Sequence, residues 1–213
     1  MTEYLHFETR EEWLANRSRG IGASEAAQVI GVSPWGTPID LWKLKTGKSK
    51  AKDLGDNPNV RLGVMLEPPL RTMFSALHPE YEVIHKPYDI IFQSENPWLY
   101  ATLDGELHAE DGHTGILEIK TANPTSKTEW AEWNNQVPPK YYAQICHQLL
   151  ATDFEFAYLF AFLQGMDKTQ ATLREYRFDK ADCVEDMEYL LTEEIEFWHY
   201  VKTNTMPPQK LTL

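Results

Sequence analysis

The stretch Gly115-Ile116-Leu117-Glu118-Ile119-Lys120-Thr121-Ala122 reads GILEIKTA. It is short, apolar, rich in β-branched residues and opened by a glycine, which predicts a buried strand. Yet it holds a glutamate and a lysine. Strand side chains alternate faces, so Glu118 and Lys120 project to one side and Leu117 and Ile119 to the other. A carboxylate and an ammonium on one face of a core strand are either a solvated ion pair or the start of a chemical site.

The flanking sequence puts this strand in a sheet. Upstream, Tyr81–Phe92, Trp98–Leu103 and Glu106–Ala109 read as strands, and Gly112 supplies the turn into GILEIKTA. Downstream, residues 138–152 (PPKYYAQICHQLLAT) form an amphipathic helix opened by proline. Phe154–Leu163 and Ala171–Phe178 follow as strands, and residues 181–203 as a long acidic helix. Nearer the start, residues 8–17 read as a short helix. Ser24 is placed to cap a helix running to about Ile30, with Gly31 as its stop. Thr37-Pro38 opens a helix that Gly47 ends. Residues 49–59 form a polar loop, and residues 60–77 have helical spacing. Pro68-Pro69 interrupts that spacing. A mid-helix proline costs about 3 kcal/mol, which predicts a kink or a helix start near Glu67. The order predicts an α/β fold with one central mixed β-sheet flanked by helices.

The length of 213 residues suits one domain, with a core of about 13–178 and the acidic C-terminal helix 181–203. No run of about 18 apolar residues exists, so no transmembrane helix and no membrane partner is expected. The N-terminus lacks an apolar signal core. The two cysteines, Cys146 and Cys183, form no CxxC, which argues against a disulfide framework or a metal ribbon. A reducing cytoplasm is the simplest setting. Net charge is −12, the opposite of the footprint of a general nucleic-acid binder. The distribution is uneven, however. Asp182 to Trp198 holds seven acids and no Lys or Arg, and reads as a solvated acidic face. Arg17 to Lys52 holds seven basic residues against two acids, leaving room for a local basic surface.

Asp104 ends the stretch LYATLD, and thirteen residues separate it from Glu118. If the two strands pair, Asp104 and Glu118 converge at one sheet edge. Two carboxylates plus the Ile119 carbonyl make an oxygen site suited to magnesium. Lys120 beside it could orient or deprotonate a water for phosphodiester hydrolysis. An E-x-K pair on a solvated strand face remains the plain alternative. Ser24 is likewise either a cap or an anion site at a helix start, and Arg17 a surface charge or a phosphate fork. Gln144 and Tyr141 share one helix face. His147 reads as packing. Trp13, Trp35 and Trp42 read as core, although Trp35 lies in a loop, SPWGTP, that could meet DNA.

These residues resemble the PD-(D/E)xK nuclease superfamily and, more narrowly, the phage lambda exonuclease (YqaJ-type viral recombinase) family. The resemblance spans roughly residues 13–160 and rests on WLANRSRGIGASEAAQVIG, LGVMLEPPLRTMF, ATLDGEL, GILEIKTA and YYAQICHQL in that order. It implies a restriction-endonuclease-like core. Asp104, Glu118, Lys120 and Glu67 would be catalytic, with Asp104, Glu118 and Ile119 holding metal. Arg17, Ser24 and Gln144 would hold the 5′-phosphate and position the DNA end, with Thr102 and Tyr141 supporting that wall. Pro68-Pro69 after Glu67 departs from the family pattern; the family need not carry proline before its aspartate, and Leu103 occupies that place here.

The resemblance further implies a Mg²⁺-dependent, processive 5′-to-3′ exonuclease acting on linear double-stranded DNA. One or two ions would bind, with Mn²⁺ able to substitute. The products would be mononucleotides and a 3′ overhang used in recombination by single-strand annealing. A homotrimeric ring, a preference for 5′-phosphorylated ends, an annealing-protein partner and a phage or prophage setting in a bacterial cytoplasm also follow from it. Another endonuclease on the same core, or a non-catalytic DNA-binding relative, are the alternatives. A version with a four-cysteine cluster does not fit two cysteines.

Overall fold

The computed structural model describes residues 1–165 and 170–209. In chain order the elements begin with β1 (Thr2–His6), α1 (Arg10–Arg17), β2 (Ile21–Gly22), α2 (Ala26–Val29), α3 (Pro38–Lys45) and α4 (Pro58–Leu77). Then come β3 (Tyr81–Ile84), β4 (Asp89–Gln93), β5 (Leu99–Ala101), β6 (Gly105–Ala109) and β7 (Thr114–Ala122). The chain closes with α5 (Lys127–Ala131), α6 (Pro139–Thr152), β8 (Phe156–Gln164), β9 (Ala171–Asp179) and α7 (Val184–Thr203).

The strands form two mixed sheets rather than the single sheet expected. One runs β3-β6-β7-β8-β9 and the other β1-β4-β5-β2. The division falls inside Tyr81–Phe92, which the sequence pattern reads as one strand. Pro87 interrupts it, and Tyr88 takes a left-handed φ of 67°. Such a φ cannot continue a strand, so Tyr81–Ile84 and Asp89–Gln93 join different sheets.

GILEIKTA is the middle strand of the five-stranded sheet. It pairs antiparallel with β6 and parallel with β8. A parallel pair needs a crossover, and α5 and α6 lie in it. Leu117 and Ile119 pack with Leu70 and Phe74 of α4 and with Phe156, Tyr158 and Phe160 of β8. Ile116 packs on the other face, with Ile145 and Leu149 of α6 and Leu159 and Ala161 of β8. Glu118 and Lys120 therefore look toward α6, inside the layer. Phe74 is fully buried. Its truncation to alanine would cost about 3–5 kcal/mol and free α4 from the sheet. Glycine opens β7 for a steric reason: a Cβ on Gly115 would lie 2.2 Å from the Phe156 ring.

Two helical expectations change. α4 runs unbroken from Pro58 to Leu77, through Pro68 and Pro69. The prolines face solvent. The carbonyls that lose their donors belong to Val64 and Met65, residues that are 67% and 72% exposed, so water can reach that side of the helix. Ser24 is not a helix cap. It sits inside a 3-10 turn, Ala23–Glu25, whose cap position is Gly22. The following helix, α2, is four residues long. An anion site at a helix start is therefore no explanation for Ser24.

The acidic C-terminal helix is not wholly a solvated face. Glu194 is fully buried and bonds His147 Nδ1 at 2.7 Å. His147 Nε2 lies 3.0 Å from the Tyr100 carbonyl. Burial pushes His147 toward its neutral form, but the Glu194 carboxylate and both hydrogen bonds outweigh this and raise its pKa. The pair ties α7 to α6 and α6 to β5. Leu190 and Met187 of α7 join the same core. Among the described residues, no helix is long and apolar enough to cross a membrane.

Candidate active site

Asp104 precedes β6, and the last β6–β7 pair is Gly105 with Leu117. β7 runs on beyond its partner, so the edge of Ile119 is free of β6. Asp104 occupies that gap: its Oδ2 accepts the Ile119 N–H at 2.7 Å. The N–H and carbonyl of one strand residue leave by the same edge, so the Ile119 carbonyl also points to the Asp104 side. The Asp104 carbonyl is in turn held by Arg71 Nε at 2.6 Å, with His85 Nδ1 at 3.1 Å.

Glu118 is buried, at 3% exposure, with both oxygens engaged. Gln144 Nε2 donates to Oε1 at 2.7 Å and Gln148 Nε2 to Oε2 at 2.5 Å. Lys120 Nζ lies 2.6 Å from Oε1. The sequence motif identifies Gln144 but misses Gln148. The signal is available: Gln148 lies four residues on, on the same face of α6. Gln144 thus fixes the Glu118 carboxylate through one N–H of its amide.

Burial and the neighbouring Glu118 charge push the Asp104 carboxyl well above its ordinary pKa, against the opposing pull of Lys120. Burial disfavours the Lys120 ammonium, but Glu118 and Asp104 outweigh it and raise its pKa. A buried carboxylate, a half-buried one and a single ammonium held close together form a site that a bound cation would stabilise. Among the described residues no group of three His, Cys, Asp or Glu side chains could hold a metal. The candidate donor set is instead two carboxylates and a backbone carbonyl. All three are hard oxygens, a set that fits magnesium or manganese better than zinc.

Asp104, Glu118, Ile119 and Lys120 line a cavity of about 730 Å³, as do Ser24, Glu67, Tyr141 and Gln144. Glu67 reaches it from α4, but its Oε1 is held by Arg71 Nη2 at 2.5 Å. Arg71 therefore connects Glu67 to the Asp104 backbone. The Tyr141 ring lies 5.4 Å from Lys120 Nζ. Arg17 and Thr102 are not among the lining residues. The Arg17 guanidinium instead stacks over Trp13 at 4.5 Å, and its carbonyl accepts the Tyr100 hydroxyl at 2.8 Å. The basic stretch is also less exposed than its composition implies. The Lys45 side chain is 3% exposed and pairs with Glu25 at 2.7 Å. Glu25 Oε2 accepts the Gly22 N–H at 2.9 Å as well, fixing the turn that carries Ser24.

A strand pair ending in an aspartate, a glutamate and a lysine, packed between two helices, defines a PD-(D/E)xK-type fold. Solved structures share it. An alkaline exonuclease from Laribacter hongkongensis, LHK-Exo, aligns with a TM-score of 0.62 at 19% identity, over 92% of this chain and 94% of that one. LHK-Exo in complex with dAMP aligns with a TM-score of 0.63 at 20% identity and the same coverage. A phage-related exonuclease from Haemophilus somnus 129PT aligns with a TM-score of 0.56 at 10% identity, over 87% of this chain and 96% of that one.

The chain belongs to the YqaJ-like viral recombinase domain family, which matches residues 12–155. It is 30% identical over 198 residues to the protein YqaJ of Bacillus subtilis strain 168. That match covers 90% of this chain and 56% of YqaJ, so the chain spans little more than half the length of that relative.

Proposed function

We propose that this chain is a divalent-metal-dependent exonuclease that degrades one strand of linear duplex DNA from its 5′ end. The observation that carries the reading is the convergence of Asp104, Glu118 and Lys120 on one cavity, where β7 outruns β6. Asp104, Glu118 and the Ile119 carbonyl would hold Mg²⁺, or Mn²⁺ in its place. One ion or two would supply a lowered water pKa and offset charge on the transferring phosphate. Gln144 and Gln148 keep the Glu118 carboxylate in one orientation. Lys120, held as an ammonium by its two acidic neighbours, orients the attacking water toward the phosphorus. Arg71 anchors Asp104 through its backbone, and Glu67 adds a further acid at the rim.

The proposed wall for a 5′-terminal phosphate is Ser24 in the cavity lining, with Arg17 and Thr102 beyond that lining and Tyr141 beside Lys120. Arg17 has no ion-pair partner among the described residues, which leaves its guanidinium available to an anion. The finer reading is processive release of mononucleotides by a homotrimeric ring, leaving a 3′ overhang for an annealing protein. The setting is phage-type recombination in the bacterial cytoplasm. A ring would let a chain of net charge −12 stay on DNA by topology rather than by attraction. Digestion of a duplex labelled at one 5′ end tests this. Early release of labelled mononucleotide, faster when the end is phosphorylated, is expected. Early release from the 3′ end, or equal cutting of sealed circles, would overturn it.

A further inference from the structure

Trp35 stands apart from the other tryptophans. It is 64% exposed, whereas the other six are buried or half-buried. A single exposed apolar side chain needs no explanation by itself. Its position does, because Trp35 lines the same cavity as Asp104, Glu118 and Lys120.

The loop that carries it is fixed from both sides. The Trp35 N–H donates to Ser33 Oγ at 3.2 Å. Two residues on, Thr37 caps α3 through Asp40. Between them Gly36 packs so closely on Gln28 that a Cβ there would lie 2.3 Å from Nε2. The indole is thus held out by a braced loop. Its ring lies 6.5 Å from that of Tyr141, which separates it from Lys120. Lys140 Nζ sits over both rings, 5.0 Å from the Trp35 centroid and 5.1 Å from that of Tyr141, which leaves the opposite face of the indole for a base.

We propose that Trp35 is a stacking platform for the nucleobase of the 5′-terminal nucleotide, with the Lys140 ammonium beside it for the adjoining phosphate. The assignment rests on the nuclease reading above. A flat ring beside a cation is the chemistry that grips a strand without reading its sequence, since every base offers a π-face. An enzyme that removes each successive nucleotide needs that tolerance. A hydrogen-bonding pocket for one base would stall it.

The test is equilibrium binding of the full chain to linear duplexes in chelator, followed by fluorescence anisotropy. The 5′-terminal nucleotide is either intact or abasic. Trp35→Ala should lose about tenfold in affinity for the intact end and nothing further for the abasic end. Trp35→Phe should keep most of the wild-type preference for the intact end. No loss in Trp35→Ala, an equal loss on both ends, or no wild-type preference for the intact end would each overturn the assignment. Degradation in Mg²⁺ is read separately. Preference for the intact end without degradation would retain the platform and sink the nuclease reading.

Discussion

Gln148 donates to Glu118 Oε2 at 2.5 Å from a side chain with no exposed surface. Gln144, one helical turn earlier, donates to the other oxygen at 2.7 Å. Both oxygens of one buried carboxylate are therefore oriented by one helix that crosses between the two strands of a parallel pair. Groups that orient a metal-holding carboxylate typically carry about 10- to 100-fold in metal affinity or activity. Gln148→Leu should lower metal-dependent cleavage by about that factor and shift its metal dependence to higher concentration. An unchanged metal titration would mean that Glu118 keeps its orientation without Gln148.

Lys120 contacts Glu118 at 2.6 Å and is the cation of the proposed site. Lys120→Ala should abolish cleavage while duplex binding in chelator stays close to wild type. Wild-type cleavage rates in that variant would remove Lys120 from the mechanism.

The His147–Glu194 pair makes stability depend on pH. The folded pKa of His147 lies above its ordinary value, because Glu194 and the Tyr100 carbonyl outweigh the effect of burial. Its stabilisation is thus fully present below the unfolded value, near 6.5, and is lost as pH rises through the folded pKa. Urea midpoints should fall as pH rises from the unfolded value through the folded one. Glu194→Gln should flatten the fall. Glu194→Ala lets burial drive His147 to its neutral form and leaves one ring nitrogen without its partner, which should cost about 1–3 kcal/mol. Parallel pH profiles for wild type and Glu194→Gln would contradict the pairing.

Arg17 stacks on Trp13 and makes no ion pair among the described residues. Arg17→Ala should narrow the difference in degradation rate between 5′-phosphorylated and unphosphorylated ends. A preference equal to wild type would put the phosphate pocket elsewhere.

Much of this site was legible in the sequence because strand alternation is rigid. GILEIKTA sets which residues share a face, and the turn at Gly112 returns the chain so that Asp104 meets the strand that carries Glu118. The sheet count was not legible, since it turns on one backbone torsion at Tyr88. Nor is the continuity of α4, where water on the proline side can take up the carbonyls of Val64 and Met65 that lose their donors. Ser24 misled because a serine before an apolar run resembles a cap, while Glu25 and Lys45 hold the turn instead. Glu194 was lost in a run of like charges. One buried carboxylate among six others can be recognised only by the histidine that faces it.

The central claim is that Asp104, Glu118 and Lys120 hydrolyse DNA ends with a bound divalent ion. The most direct measurement is the fate of each strand of a linear duplex, with Mg²⁺ and with chelator, against a sealed circle of the same sequence. Loss of one strand of the linear duplex with Mg²⁺, no loss in chelator and an intact circle are expected. Equal loss in chelator, or cutting of the circle at the rate of the linear form, would contradict it.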